Sequence, residues 1–374
     1  MKEGRPLPEL ATELQRQADA KRDYIAPSER LSVSSNGRTE MILGEPFPVT
    51  DIAHGQIADY LDIPKAYYDR LREKSEELTV RDPNDYAVER TLFDVTVNSL
   101  LASKGPQRRL VRTLDGQVRA FLSDSFSVDL DNADVYRVAA RVIEEAGLGP
   151  ENVLSAEVTE KRLYMKVVSP RIEAVIRPSN VSGSGLLREP QVVQAGFILS
   201  NSETGLGSLR VSQLVFKLLC SNGWIREESL RQRHIGKTLE TGENGSVYRS
   251  DTRAQDAKLR LMKVRDHISS ALDPGAFRDF VGRMQETTSI RLEAGAEKCV
   301  DAVGRKFGLS QGEKERVLGE LIQGADMTLW GMTNAVTAAA QKCQSYDRST
   351  ELEGIGGKFF SLTRPEIREI VAAR

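Results

Sequence analysis

The chain has 374 residues, and its size, composition and charge exclude several classes of protein. Hydrophobic residues make up 40% and charged residues 28%, which is typical of a folded protein and not of a disordered one. Lys and Arg number 52 against 54 Asp and Glu, for a net charge of -2. Any binding to nucleic acid must therefore come from a local basic patch. The length predicts two or three domains.

Cysteine usage and the lack of long apolar runs predict where the protein resides. Cys220, Cys299 and Cys343 are widely spaced and form no CxxC pair, which argues against zinc and favours a reducing compartment. The first residues lack the apolar core of a secretory signal, and no run of about 18 apolar residues occurs. We therefore expect a cytoplasmic protein with no membrane partner.

The first 87 residues predict helices and a hairpin, and we assign residues 1–87 to an N-terminal unit. Apolar residues recur at near-helical spacing over residues 5–23, and Asn36 with Gly37 predicts a turn between two strands. Residues 50–78 predict two helices. Thr50 or Asp51 would cap the first, and Pro64 suits the first turn of the second.

Residues 88–250 are rich in β-branched and aromatic residues and predict a central sheet. The segments "FDVTVNSLLA", "RRLVRTL" and "QVRAFLS" read as strands, and Asp115 with Gly116 predicts a two-residue hairpin between the last two. A helix is predicted at 133–146. More strands follow in 153–178 and 192–220, separated from each other by a Ser/Gly-rich loop at 179–190.

Residues 251–347 have helical periodicity almost throughout, and we assign residues 251–374 to a helical C-terminal unit. Helices are predicted at 252–271, 275–288, 292–307, 311–323 and 327–346. In the last of these, an apolar face of small residues suits either a helix pair within the chain or a subunit contact. The predicted fold is α+β, with a helical N-terminal element, a central mixed or antiparallel sheet region and a helical C-terminal region.

The predicted hairpin is strongly basic. A β-ribbon of this kind could lay guanidinium groups along a phosphate backbone, with Phe121 and Phe126 offering faces on which unpaired bases stack. Its cations are Lys104, Arg108, Arg109, Arg112 and Arg119. The alternative is a solvated sheet edge, where charged side chains protect against pairing with another strand.

A second basic cluster follows Cys220 and a predicted tight turn at Asn222 and Gly223. A loop facing a polyanion and an ordinary solvated loop both fit it. Its members are Arg226, Arg231, Arg233, His234 and Lys237, and we add Arg210 from the preceding strand to the predicted nucleic-acid-binding set. Cys220 and His234 could form a nucleophile and base, but a buried cysteine at the end of an apolar strand fits better.

Cofactor and metal motifs fail at specific positions. The acidic run 123–135 lacks the Gly and Glu that an EF-hand loop requires, and "EGIGGKFF" lacks the Ser or Thr of a phosphate-binding loop. We therefore predict no cofactor and no resident metal. A magnesium site using Asp124, Asp129 or Asp131 remains as the enzymatic alternative.

Five ordered segments resemble the phage and plasmid-like protein family labelled domain of unknown function 932. They are "HGQIADYLDIPKAYYDRL", "LVRTLDGQVRAFLSDSFSVDLDNADV", "SNSETGLGSLRVSQLVFKLLCSNGWI", "RHIGK" and "TLWGMTNAVTAAAQ". The resemblance spans roughly residues 50–345. It implies a mobile-element setting, often alongside replication and recombination functions, and assigns no role to any residue.

Together these features predict a non-enzymatic protein that binds single-stranded DNA, or anneals it, in replication or recombination. It could act as a homo-oligomer. One alternative is a nucleic-acid-processing enzyme that uses acidic residues and a metal ion. Another is a mobile-element factor that binds or inhibits a protein partner through the small-residue helix near Trp330.

Overall fold

The computed structural model describes residues 2–35, 40–42, 45–82, 85–126, 130–178, 189–218, 222–232 and 250–373. Its architecture is α+β, as predicted, with helices at both ends of the chain and antiparallel sheets between them. No helix in these ranges is long and apolar enough to cross a membrane.

Helices occur along most of the described chain and dominate its C-terminal third. They are α1 (Leu7–Ala20), α2 (Asp51–Tyr60), α3 (Lys65–Glu73), α4 (Leu92–Ser103), α5 (Asn132–Glu145), α6 (Ser250–Ala271), α7 (Pro274–Thr287), α8 (Ala296–Phe307), α9 (Gln311–Gly324), α10 (Leu329–Gln341), α11 (Tyr346–Lys358) and α12 (Arg364–Val371). Most lie within a few residues of the predicted positions, but α4, α11 and α12 were not predicted as helices.

Within the described ranges, the strands form four separate antiparallel sheets. They are β1 (Arg22–Pro27), β2 (Ser32–Ser34), β3 (Glu40–Ile42), β4 (Pro46–Pro48), β5 (Thr79–Asp82), β6 (Asp85–Thr91), β7 (Arg108–Leu114), β8 (Gln117–Ser123), β9 (Val153–Val158), β10 (Leu163–Ile176), β11 (Gln191–Asn201), β12 (Leu209–Lys217) and β13 (Asn222–Gln232). Their orders are β1-β7-β8, β2-β3-β4, β5-β6 and β13-β12-β11-β10-β9.

The predicted hairpin is present and joins β7 to β8. Asp115 and Gly116 have φ angles of 52° and 71°, the left-handed values that a two-residue turn between twisted strands requires. β1 pairs with β7, so the hairpin is part of a three-stranded sheet. This sheet shares a core with α2, α3 and α4, and that core crosses the predicted boundary at residue 87.

The segment that was predicted as the strand "FDVTVNSLLA" is instead helix α4. Thr91 caps it by accepting a hydrogen bond from the backbone N–H of Asp94 at 3.1 Å. Phe93, Val97 and Leu101 are fully buried on one face. Their spacing of four is helical, and tertiary burial of this face outweighs the local preference of β-branched residues for strands.

The five-stranded sheet is the centre of the molecule. One face packs on α1, α5 and α6 through a large apolar core. The opposite face carries Tyr164, Val168, Ile198 and Leu214, which pack against Tyr346 at the start of α11. Because side chains alternate between the two faces of a strand, this second face is separate from the first, and helices cover only part of it.

The C-terminal helices form their own core and dock on the sheet through α10 and α11. The small-residue face of α10 is buried inside this core, which confirms packing within the chain. In α11, a Cβ added to Gly357 would lie 2.0 Å from the carbonyl oxygen of Ile225. Glycine therefore lets the helix backbone contact strand β13 directly.

Candidate functional site

Arg112 of the predicted basic hairpin is an internal residue. Its side chain is 1% exposed, and its Nε and Nη2 donate to the two carboxylate oxygens of Asp23 at 2.8 and 2.7 Å. Its Nη1 donates to the carbonyl oxygen of Glu203 at 2.9 Å. With its donors directed inward, Arg112 has no surface from which to contact a phosphate chain. This corrects the expected row of solvent-facing guanidinium groups.

Arg119 is also held inside the fold. Its side chain is 8% exposed, with Nη1 donating to Gln17 Oε1 at 3.1 Å and lying 3.7 Å from Glu203 Oε2. Burial lowers the pKa of Arg119 from its ordinary value, opposed mainly by Glu203. Both arginines thus join the hairpin to the turn between β11 and β12, a structural role that the sequence did not indicate.

The remaining hairpin cations lie at its open end. The Arg109 guanidinium carbon lies 4.4 Å from the Tyr60 ring centre and 4.9 Å from that of Phe121. Lys104 pairs with Asp62 at 2.7 Å, and Arg108 is exposed. Phe126, predicted to stack on bases, is half-buried, and its ring lies 5.6 Å from Arg112. These residues form no continuous basic stripe with Arg112 and Arg119.

The second predicted cluster is described only in part. Arg226 is half-buried, with Nη1 donating to Gln213 Oε1 at 3.4 Å, and it lies 5.5 Å from the Phe280 ring. The backbone of Arg231 pairs with that of Arg210 across β12 and β13. The side chain of Arg231, together with Cys220, Arg233, His234 and Lys237, lies outside the described residues.

The structure brings other cations together in a cleft of about 640 Å³ on the partly covered face of the central sheet. The sheet forms its floor, and α11 with the end of α8 forms its wall. We call it the basic cleft. It is lined by Arg162, Tyr164, Ile198, Ser200, Arg210, Ser212, Ile225, Lys306, Phe307, Arg348, Thr350, Glu351, Gly354, Ile355 and Lys358. Five of these residues are basic and one, Glu351, is acidic.

The floor of the basic cleft is a row of residues in register across three strands. Tyr164 of β10 pairs with Ser200 of β11, which pairs with Arg210 of β12. The hydroxyl of Tyr164 donates to Asp347 at 2.8 Å, and Arg210 Nε donates to Ser208 Oγ at 3.2 Å. Since register partners lie on one face of a sheet, the polar groups of this row converge on the cleft.

Arg162 lies immediately before β10 and lines the same cleft. It donates through Nη2 to the carbonyl oxygen of Leu206. Among the described residues, no carboxylate lies within ion-pair distance of its guanidinium. Arg162 is therefore held in place by a neutral acceptor and keeps its full positive charge toward the cleft.

The cations of the wall are anchored by carboxylates behind them. Arg348 donates to Glu313 from Nε at 2.7 Å and Nη2 at 3.0 Å, which raises the pKa of Arg348 and lowers that of Glu313 to about 2. Lys306 lies 3.2 Å from carboxylate oxygens of both Glu366 and Glu369. These pairs orient the cations and offset part of their charge. Among the described residues, Arg162 therefore keeps more of its charge for an anion in the cleft than Arg348 or Lys306 does.

The described residues give little support for the alternative of a metal-dependent enzyme. Asp131 forms an ion pair with Lys21, and burial raises the pKa of Asp131. Asp124 is exposed, and Asp129 lies outside the described ranges. Within those ranges, no group of three or more His, Cys, Asp or Glu is placed to hold a metal ion.

Sequence reasoning found Arg210 but missed the other cations of the basic cleft. These are Arg162, Lys306, Arg348 and Lys358. These cations come from separate segments of the chain, so no local run of basic residues in the sequence indicates the cleft. Comparisons with protein-family models, curated proteins and solved structures found no match, and the family resemblance stays a prediction.

Proposed function

We propose that this chain is a single-stranded nucleic-acid-binding protein of the phage and plasmid type, and that the basic cleft holds the strand. One observation carries the proposal. Among the described residues, five basic side chains and one acidic side chain line a concave site of about 640 Å³. Cations concentrated in a cleft attract polyanions even when the net charge of the chain is close to zero.

The size of the cleft favours a single strand over a duplex. Its volume lies within the range of small-ligand pockets, roughly 300–1,000 Å³, which suits individual nucleotide units. Arg162 and Arg210 offer planar guanidinium groups, which recognise phosphate oxygens better than ammonium groups do. We therefore expect the phosphates to lie along the sheet side of the cleft.

The resemblance to the phage and plasmid family extends this proposal to strand annealing by a homo-oligomer. Strand annealing and oligomer formation are each tested separately from binding. Annealing is measured by fluorescence quenching between complementary labelled strands. The oligomeric state is measured by light scattering over a concentration series.

The binding proposal is tested by fluorescence anisotropy with labelled single-stranded and duplex DNA over a salt series. The key variant is Arg162→Ala/Arg210→Ala. The matched control is Arg141→Ala/Arg278→Ala, which removes two exposed arginines outside the cleft.

Each phosphate contact on a single strand contributes about 0.7 to the slope of log affinity against log salt. We expect the cleft variant to lower the slope by about 1.4 and the control to leave it unchanged. No binding by wild type at low salt would refute the proposal.

A further inference from the structure

Gly354 is a glycine that packing within the chain does not explain. It lies in the interior of α11 and lines the basic cleft. A Cβ added there meets nothing within 4 Å, whereas one added to Gly356 or Gly357 would collide with neighbouring residues. Glycine destabilises a helix interior relative to alanine. The gap beside Gly354 therefore leaves the helix backbone open to close approach by a ligand.

Thr350 lies on the same stripe of α11 as Gly354. Thr350, Gly354 and Lys358 are spaced four residues apart, so they lie one above the other, and all three line the cleft. Thr350 is 9% exposed, and its buried Oγ1 has no hydrogen-bond partner among the described residues. A buried hydroxyl without a partner is unfavourable, so a change of the Thr350 rotamer that turns it toward a ligand atom in the cleft would relieve that cost.

Apolar side chains surround this stripe. Ile198 and Ile225 come from the sheet, Ile355 from α11 and Phe307 from the end of α8. Together with Thr350 and Gly354 they form what we call the base recess. The cleft thus combines basic side chains with a mainly apolar recess, to which Thr350 contributes one hydroxyl. A phosphate group would bind the basic side chains but would gain nothing from the apolar recess.

We propose that the base recess takes one unpaired nucleobase, whose phosphates contact Arg162 and Arg210. The flat face of the base would lie against the α11 backbone at Gly354, and the Thr350 hydroxyl would bond to its polar edge. This inference rests on the proposed function and adds to it that the strand is held by a base as well as by charge. Burial of a base on apolar and aromatic groups is sequence-tolerant, because every base has such a face.

The test compares two labelled probes of equal length, oligothymidine and an abasic oligonucleotide with the same phosphates. Gly354→Leu fills the recess, and Thr350→Val removes the hydroxyl at nearly constant shape. Gly319→Leu is the matched control, because Gly319 is an exposed residue inside helix α9 and its Cβ position is also open. Thermal unfolding of each variant verifies that it folds.

We expect wild type to bind oligothymidine about tenfold more tightly than the abasic probe. Gly354→Leu should abolish that preference while leaving abasic affinity unchanged, Thr350→Val should reduce it, and Gly319→Leu should match wild type. Equal affinity of wild type for the two probes would overturn the base recess and leave the proposed function intact. Equal loss of both probes in Gly354→Leu would also overturn it. Failure of wild type to bind either probe would instead refute the proposed function.

Discussion

Lys166 of β10 and Glu353 of α11 form an ion pair of 2.6 Å in which the two side chains are 0% and 1% exposed. The Lys166 ammonium also lies 4.9 Å from the ring of Tyr346. This pair joins the wall of the basic cleft to its floor. Because both charges are removed from water, each depends on the other for its stability in the folded protein.

Removing one member of this pair should destabilise the protein strongly. Glu353→Leu leaves the Lys166 ammonium buried without its counter-ion, and we expect the free energy of unfolding to fall by about 3–5 kcal/mol. The double variant Lys166→Met/Glu353→Leu removes both charges and should recover much of that loss. Urea unfolding of the two variants beside wild type measures both effects. A double variant no more stable than the single one would show that the buried charge is not the cause.

Arg112 and Arg108 should behave differently although both belong to the same basic hairpin. Arg112→Met leaves Asp23 without its bidentate partner, and we expect a loss of about 3 kcal/mol. Arg108 is exposed, so Arg108→Met should change stability by no more than about 0.5 kcal/mol. Chemical denaturation of the two variants makes the comparison. Similar losses in both would contradict an internal role specific to Arg112.

The sequence predicted the elements whose signals are local. Asp115 with Gly116 gave the hairpin correctly, because left-handed backbone angles at two successive positions require a particular pair of residues. Helix α4 was missed, because its β-branched residues locally favour a strand. It is a helix because one of its faces is buried against α2, α3 and the hairpin. Helix α11 was missed for a related reason, since its glycines are unfavourable locally but allow contact with β13.

The candidate site depended on contacts distant in sequence, and here sequence reasoning was weakest. Arg112 looked like a surface cation because its partner Asp23 lies 89 residues away. Conversely, Arg348 belongs to a helix that was not predicted, and it reaches the cleft only because α11 docks on the sheet. Composition could show that a basic patch had to be local, but only tertiary packing determines which arginines form it.

Two glycine positions should respond in opposite ways to alanine. At Gly357, an added Cβ would lie 2.0 Å from the carbonyl oxygen of Ile225, so Gly357→Ala must move α11 away from β13. Overpacking of this kind typically costs about 1–3 kcal/mol. At Gly319, an added Cβ meets nothing within 4 Å, and alanine should stabilise α9 by about 0.5–1 kcal/mol. Thermal melting distinguishes the two, and stabilisation by Gly357→Ala would contradict the direct contact.

His54 should make stability depend on pH in a defined window. It is 1% exposed and shares a 2.9 Å hydrogen bond between its Nδ1 and the hydroxyl of Tyr68. Burial, reinforced by Arg72 and Lys65, lowers the pKa of His54 from 6.5 to about 3. The unfolded chain therefore takes up a proton below pH 6.5 that the folded protein does not. The stabilising contribution is complete above the unfolded pKa and declines as the pH falls toward the folded one.

We expect this single group to lower the free energy of unfolding by about 2 kcal/mol between pH 7 and pH 5. His54→Gln retains a hydrogen-bonding side chain but does not titrate. Between pH 7 and pH 5, its free energy of unfolding should therefore fall by about 2 kcal/mol less than that of wild type. Urea unfolding of wild type and variant at pH 7, 6 and 5 gives the two slopes. Parallel slopes would mean that His54 is protonated in the folded protein, and that its burial does not exclude the charged form.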